Sequence, residues 1–133
     1  MKDAMEESSL ILVVDDEADF REILSTKLAS AGFRVETAEN GQAAVEKAKR
    51  LRPQLILMDV RMPVMDGAQA MLELQKYPET KGIKVAFLTS LGDPRSDMQD
   101  VDRSFSDNFG AAQYLKKTED LDALAEKIKA LLN

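Results

Sequence analysis

Residues 10–17 read LILVVDDE, an apolar run that ends in three acidic side chains. A short, uninterrupted apolar run of this kind is typical of a strand buried inside a parallel sheet. Asp59 follows a second such run at residues 55–58, and Lys117 follows Tyr114-Leu115. Because the functional crevice of an open parallel sheet lies at the carboxyl ends of its strands, we expect these charged side chains to meet there.

Carboxylates from Asp15, Asp16 and Asp59 would repel one another at such a crevice. Their proximity is tolerable only if a hard cation or an ammonium group compensates the charge. The chain contains no histidine and no cysteine, so disulfides, zinc sites built on thiolate or imidazole, and Ser-His catalysis are excluded. The sequence therefore predicts an oxygen-liganded divalent metal beside a reactive aspartate.

The composition is that of one globular domain. The chain has 133 residues, of which 44% are hydrophobic and 32% charged, and we expect one domain over 1–133 with its core at about 10–132. A formal charge of -6 argues against nucleic-acid binding, which needs clustered basic residues. Residues 1–9 lack an apolar signal core, and no apolar run is long enough to span a membrane. We therefore expect a cytoplasmic protein without membrane contact.

Five apolar runs, near 10–14, 34–38, 54–58, 83–88 and 112–115, alternate with segments of helical periodicity. This alternation predicts an α/β fold, a doubly wound parallel sheet with helices on both faces. The inward-facing residues of the first three predicted helices are Phe20, Ile23, Leu24, Lys27 and Leu28, then Ala44, Val45, Ala48 and Leu51, then Ala70, Met71 and Leu74. Asn40 is expected to cap the second helix and Gly67 to begin the third, while a fourth helix should run from Asp93-Pro94 to Gly110. The last helix carries Leu121, Leu124, Ile128, Leu131 and Leu132 on one stripe.

Four segments together resemble one known family. They are residues 12–17 (LVVDDE), 59–67 (DVRMPVMDG), 88–90 (LTS) and 110–117 (GAAQYLKK), which occur in this order and follow the predicted strands. The chain resembles the receiver domain of two-component response regulators, of the chemotaxis-regulator type, from about Leu10 to Leu132. The resemblance implies a flavodoxin-like (βα)5 fold with the strand order 2-1-3-4-5.

The resemblance also implies roles for the charged residues. Asp59 would be the phosphoacceptor, attacking the phosphorus of a partner's phosphohistidine and becoming an acyl phosphate. Asp16, Asp59 and the backbone carbonyl of Arg61 would bind Mg²⁺, with Asp15 acting directly or through water. Magnesium would be the cofactor.

The remaining implied roles concern catalysis and the switch. Lys117 and the Thr89 hydroxyl would each contact a phosphoryl oxygen. Thr89 would move toward the phosphate, and Tyr114 would rotate into the space that it vacates. The surface formed by the fourth predicted helix, the fifth strand and the last helix would then change and control partner binding.

The function implied is a phosphorylation-dependent signalling switch rather than an enzyme acting on free substrates. Its partners would be a histidine kinase or a His-containing phosphotransfer protein and a downstream protein target. A phosphorylation-dependent homodimer through the output surface is compatible with this function. We expect a stand-alone or separately produced receiver, because the chain has no room for a DNA-binding domain, unless it was cut from a longer protein. The alternatives are a degenerate receiver acting as a phosphorylation-independent scaffold, and a phosphohydrolase, which usually carries a second aspartate two residues after its nucleophile.

Each assignment has a structural alternative when its residue is considered alone. The acidic residues at 15–17 could cap the first helix, Asp59 could be a turn residue, Thr89 and Ser90 could be ordinary strand-end residues, and Tyr114 could be a core residue. Lys116 competes with Lys117 for the site, because strand alternation puts them on opposite faces. Only the resemblance selects Lys117.

Two features depart from the family pattern. Thr118 follows Lys117 where the family frequently has proline. The segment from Thr89 to Tyr114 is longer than usual, so the output surface is expected to be unusual.

Arg61 and Leu91 flank the expected path of an attacking water and could tune the lifetime of the acyl phosphate.

Overall fold

The structure is a computed structural model that describes residues 9–89, 113–117 and 120–132. Five strands form one sheet: β1 (Leu10–Val14), β2 (Arg34–Ala38), β3 (Leu55–Asp59), β4 (Lys84–Thr89) and β5 (Gln113–Lys116). Their order is β2-β1-β3-β4-β5, and every neighbouring pair is parallel. The predicted flavodoxin-like fold and its strand order are confirmed.

Five helices are described: α1 (Ala18–Ser30), α2 (Gly41–Leu51), α3 (Gly67–Leu74), α4 (Pro78–Lys81) and α5 (Leu121–Leu132). The single-turn helix α4 was not predicted, because four residues are too few to show a helical period. The helix predicted over 93–110 lies outside the described residues, as do Ser90, Leu91 and Thr118. Within the described ranges, each helix is too short or too polar to cross a membrane.

Two hydrophobic clusters cover the two faces of the sheet, because side chains alternate along each strand. One face carries Leu12, Val14, Ile56, Met58, Val85 and Phe87, which pack against α2 and α3. The other carries Ile11, Val13, Leu55, Leu57, Ala86, Leu88 and Leu115, which pack against α1 and α5. We call the first the α2-α3 face and the second the α1-α5 face.

Local signals set most helix boundaries as expected. The Asn40 side chain accepts a hydrogen bond from the Ala43 backbone N–H at 2.9 Å, so the predicted cap of α2 is confirmed. Asp66 and Gln69 form a reciprocal capping box at the start of α3, which satisfies backbone donors there.

One detail of the sequence prediction was wrong. Ile23 is 50% exposed, whereas Leu24 and Leu28 are fully buried, so the inward stripe of α1 is narrower than expected. Asp59, expected at the end of the third strand, is the last residue of β3 and pairs in register with Leu88 of β4. The sheet therefore extends to the charged crevice.

Two glycines fix the loop between β3 and α3. A Cβ atom on Gly67 would lie 2.7 Å from the Asp59 backbone oxygen, and one on Gly41 would lie 2.4 Å from the Met65 backbone oxygen. Both contacts are with backbone, which cannot move aside as a flexible side chain can. The Gly67 N–H also donates to the Val60 carbonyl at 2.8 Å, and the Gly41 N–H to the Met65 carbonyl at 2.9 Å. The absence of side chains at these positions thus allows the loop to close beside Asp59.

Candidate functional site

Strand register brings Asp15 and Asp59 together. Val14 of β1 pairs with Met58 of β3, so the next residue of each chain segment is an aspartate. Val14 and Met58 both face α2 and α3, and alternation therefore turns the two aspartates toward the α1-α5 face. The alternation of side chains along each strand and the register between β1 and β3 together explain why these carboxylates meet.

Asp16 completes a cluster of three carboxylates. One oxygen from each of Asp15, Asp16 and Asp59 lies within 4.8 Å of the others. Asp15 is 0% exposed and Asp59 6% exposed, whereas Asp16 is open to solvent. The predicted juxtaposition of the three aspartates is present.

Asp15 has a second contact that bears on the capping alternative. Its Oδ1 atom accepts a hydrogen bond from the Glu17 backbone N–H at 2.9 Å, just before α1 begins. Glu17 is the N-cap residue itself, yet its side chain makes no capping hydrogen bond. Asp15 therefore both supports the start of α1 and presents its other oxygen to the site.

Lys117 supplies the positive charge. Its Nζ atom lies 2.7 Å from Glu17 Oε1, 2.8 Å from Asp15 Oδ2 and 3.6 Å from Asp59 Oδ2. Leu115 lies on the α1-α5 face, so alternation brings Lys117 to the same side as both aspartates. Lys116 is exposed, and the structure thus brings Lys117 rather than Lys116 to the cluster.

The electrostatics of the site show a shortage of positive charge. Burial, followed by the charge of Asp15, raises the pKa of Asp59 to about 7 despite the nearby Lys117. Burial also raises the pKa of Asp15, against the hydrogen bond from Lys117. For Lys117, burial lowers the pKa, but hydrogen bonds to Asp15 and Glu17 and the charge of Asp59 outweigh it, so the pKa is raised overall. One ammonium group does not fully compensate these carboxylates.

A hard divalent cation fits this donor set. The three clustered donors are carboxylate oxygens, which Mg²⁺ prefers, and two of them are held in fixed, buried positions. A cation there would offset the burial and the repulsion from Asp15 that raise the pKa of Asp59. The Arg61 backbone N–H donates a hydrogen bond to Asp59, which places Arg61 next to the cluster.

Thr89 and Tyr114 lie on the α2-α3 face of the sheet, whereas Asp59 and Lys117 point toward the α1-α5 face. Phe87 and Thr89 share the α2-α3 face by alternation, and Phe87 pairs with Tyr114 across β4 and β5. The Thr89 hydroxyl is buried and donates to the Leu115 carbonyl at 3.4 Å. The half-buried Tyr114 ring stacks on Phe87 with centroids 5.6 Å apart. The predicted switch residues are thus neighbours, and their roles remain predictions.

Three residues that contact Lys117 or Asp15 were not predicted as part of the site. Glu17 pairs with the Lys117 ammonium, and the Phe20 ring centroid lies 4.7 Å from the same Nζ atom. Arg21 donates from Nη1 to the Asp15 backbone oxygen at 2.7 Å. The four-residue spacing of Glu17 and Arg21 indicates only that they lie on one side of the start of α1, and no local signal links either residue to Lys117.

The chain matches the family model described as "Response regulator receiver domain" over residues 11–129. The protein PilH of Pseudomonas aeruginosa is 35% identical over 122 residues, which cover 92% of this chain and 96% of PilH. The probable transcriptional regulator ycf27 of Pyropia yezoensis is 36% identical over 122 residues, 92% of this chain and 46% of that protein. The chain thus spans about half the length of several curated relatives that it matches.

Solved structures give the same result. The chemotaxis response regulator CheY4 of Vibrio cholerae superposes with a TM-score of 0.80 and 28% identity, covering 94% of this chain and 99% of CheY4. The signal receiver domain of a histidine kinase from Syntrophus aciditrophicus gives a TM-score of 0.78 with 34% identity, covering 94% and 90%. The family match, the strand order and the aspartate cluster agree, and this chain belongs to the response regulator receiver domain family.

Proposed function

We propose that this protein is a phosphorylation-dependent signalling switch whose phosphoacceptor is Asp59. The observation that carries the proposal is the arrangement of Asp59 at the end of a buried strand, beside two further carboxylates and within 3.6 Å of Lys117 Nζ. A carboxylate is a weak nucleophile, so it needs positioning and charge compensation to react. Both features support a phosphoryl-transfer site.

In the proposed reaction, one Asp59 oxygen attacks the phosphorus of a phosphohistidine on a partner protein. A phosphorus–oxygen bond to Asp59 forms as the phosphorus–nitrogen bond breaks, and the imidazole leaves. Lys117 is close enough to stabilise the added negative charge after a small movement, since its Nζ already lies 3.6 Å from Asp59. Attack requires ionised Asp59, so positive charge that lowers its raised pKa increases the reactive fraction.

Asp15, Asp16 and Asp59 would hold Mg²⁺, with the Arg61 carbonyl as a further ligand. When bound, the ion would act as a Lewis acid that neutralises charge on the transferred phosphoryl group. The chain's own contribution is to hold two of these carboxylates rigidly: Asp15 through the Glu17 N–H, and Asp59 through the Arg61 N–H and the sheet.

The proposed output depends on Thr89. Its hydroxyl now donates to the Leu115 carbonyl over a long 3.4 Å distance, which is a weak bond that a phosphoryl oxygen could replace. Movement of Thr89 would alter the packing next to Tyr114 and Phe87. We propose that this change reaches the surface that includes β5 and α5 and controls the binding of a downstream protein, or of a second copy of the chain.

The proposed partners follow from family membership. A histidine kinase or a His-containing phosphotransfer protein would supply the phosphoryl group in the cytoplasm. Several relatives of this chain are described as transcriptional regulators. For this chain we propose output through protein contact.

Phosphorylation itself is the first test. A small-molecule phosphodonor with Mg²⁺ should add one acid-stable, base-labile phosphoryl group to Asp59, because the metal-held carboxylate needs no histidine on its own chain. Asp59→Asn should abolish the added mass in intact-protein mass spectrometry, whereas Asp66→Asn should not. Labelling of Asp59→Asn to the parent level would overturn the assignment, and no labelling of the parent would favour the scaffold alternative.

A second prediction concerns the switch. A bistable element responds only to a contact that differs between its states, and the Thr89 hydroxyl would supply such a contact. Thr89→Ala should still be labelled at Asp59 but should lose most of the accompanying change in amide NMR shifts over residues 113–132. Thr89→Ser, which keeps the hydroxyl, is the matched control. Mg²⁺ together with beryllofluoride, a phosphoryl mimic, can replace the phosphodonor in this measurement. If this mixture changes the amide NMR shifts of the parent and of Thr89→Ala equally, Thr89 is excluded as the coupling residue.

A further inference from the structure

The Lys117 ammonium is held more closely by the segment that joins β1 to α1 than by Asp59. Its Nζ lies 2.7 Å from Glu17 and 2.8 Å from Asp15, but 3.6 Å from Asp59. The Phe20 ring, from the first turn of α1, also lies against the ammonium, with its centroid 4.7 Å from Nζ. An ammonium has three donors, and two of them are directed to Glu17 and Asp15 at hydrogen-bond distance. The Lys117 ammonium therefore lies closer to Glu17 and Asp15 than to Asp59, the proposed phosphoacceptor.

The two close carboxylates differ in how readily they could release the ammonium. Asp15 is fully buried and its other oxygen is fixed by the Glu17 N–H, so loss of Lys117 would leave a buried charge poorly compensated. The Glu17 side chain is 64% exposed, so water can solvate its carboxylate as soon as the ammonium leaves. Glu17 is the replaceable partner of Lys117, and Asp15 is the permanent one.

We propose that Glu17 is a positioning residue that retains Lys117 on the α1 side of the site until a phosphoryl group on Asp59 competes for the ammonium. The inference rests on the proposed function, because it needs Asp59 to be the phosphoacceptor. Glu17 forms no covalent bond in this scheme. Lys117 exchanges one ion-pair partner, the Glu17 carboxylate, for another, a phosphoryl oxygen. Glu17 thereby opposes phosphorylation and sets its rate.

The decisive substitution is Glu17→Gln, which keeps the size of the side chain and a hydrogen-bond acceptor but removes the charge. Loss of one solvent-exposed competitor should raise the rate of Asp59 labelling about two- to fivefold. Asp19→Asn is the matched control, because Asp19 is an exposed acid in the first turn of the same helix and its removal changes the net charge equally. Glu17→Asp, which keeps a charge on a shorter side chain, should lie between the parent and Glu17→Gln.

The experiment measures the initial rate of phosphoryl incorporation from a small-molecule phosphodonor at saturating Mg²⁺, for the parent and the three variants. Circular dichroism confirms that each variant is folded. A second measurement is the structure of the parent with Mg²⁺ and beryllofluoride. There Lys117 Nζ should contact a fluorine atom and should have moved beyond 4 Å from Glu17, the limit for an ion pair.

The outcomes separate the two proposals. If the parent is not labelled on Asp59, the proposed function fails and this inference fails with it. If the parent is labelled but Glu17→Gln is no faster than Asp19→Asn, only the positioning role of Glu17 is wrong. A Glu17–Lys117 contact that persists in the beryllofluoride complex would also overturn the role, whatever the rates.

Discussion

Without a divalent cation, Asp59→Asn is expected to be more stable than the parent above about pH 7. The folded protein keeps a proton on Asp59 up to about pH 7, whereas the unfolded chain loses it near the ordinary value of 3.8. Between these values the folded state binds more protons, so the stability of the parent falls as pH rises through this range. Because the site opens to solvent at Asp16, screening reduces this effect, and we expect a gain from Asp59→Asn of about 1–2 kcal/mol.

Denaturant unfolding at several pH values, with a chelator present, measures this difference. The gap between Asp59→Asn and the parent should be small near pH 4 and should grow until about pH 7. Asp19→Asn, which removes an exposed carboxylate, should show no such growing gain. Mg²⁺ should stabilise the parent more than Asp59→Asn, because binding to the folded state alone shifts the equilibrium by mass action, and Asp16→Ala should respond less than the parent. A parent more stable than Asp59→Asn above pH 7 without cations would contradict the electrostatic picture.

The second large effect is expected from Lys117→Met. The substitution removes the ammonium that lies between Asp15 and Asp59, both of which are buried. Breaking a buried pair from one side is costly, and since this site is open at one edge we expect a loss of about 2–4 kcal/mol above pH 7. The loss should shrink as pH falls, since both aspartates have raised pKa values and can take up protons.

Lys116→Met is the matched control for this prediction. Lys116 is exposed and lies on the opposite side of β5, so its loss should change the free energy of unfolding by less than about 0.5 kcal/mol. The double variant Lys117→Met/Asp59→Asn should be more stable than the sum of the two separate changes in the free energy of unfolding predicts. It carries one buried charge fewer than Lys117→Met alone. If Lys116→Met proved as destabilising as Lys117→Met, the assignment of the site lysine would be wrong.

The strands and the charged residues that follow them could be predicted because both depend on local patterns. An apolar run that ends in acids, as at residues 10–17, indicates a buried strand and a charged crevice without knowledge of its neighbours. Asn40 at the start of α2 and Gly67 at the start of α3 were found for the same reason, since capping depends on the residues nearest in sequence.

The exposure of Ile23 and the exact length of β3 could not be derived from local sequence patterns. Which residues of α1 are covered depends on how α5 packs beside it, and the length of β3 depends on a register partner in β4. Helix α4 also depends on a contact outside its own four residues, because its Thr80 hydroxyl donates a hydrogen bond to the Leu74 carbonyl at the end of α3, six residues back. The first two features are decided by contacts between distant parts of the chain, whereas α4 depends on a contact six residues back that no helical period reveals.

The sequence by itself therefore determined the fold class, the strand order through the family resemblance, and the three aspartates that cluster. The tertiary structure decided the partners of Lys117. Alternation alone left Lys116 and Lys117 equivalent, and only the packing of Leu115 against the α1-α5 face turns Lys117 toward Asp15 and Asp59. Glu17 could not be linked to Lys117 from the sequence, because the two residues are 100 positions apart and a contact at that distance exists only in the folded sheet.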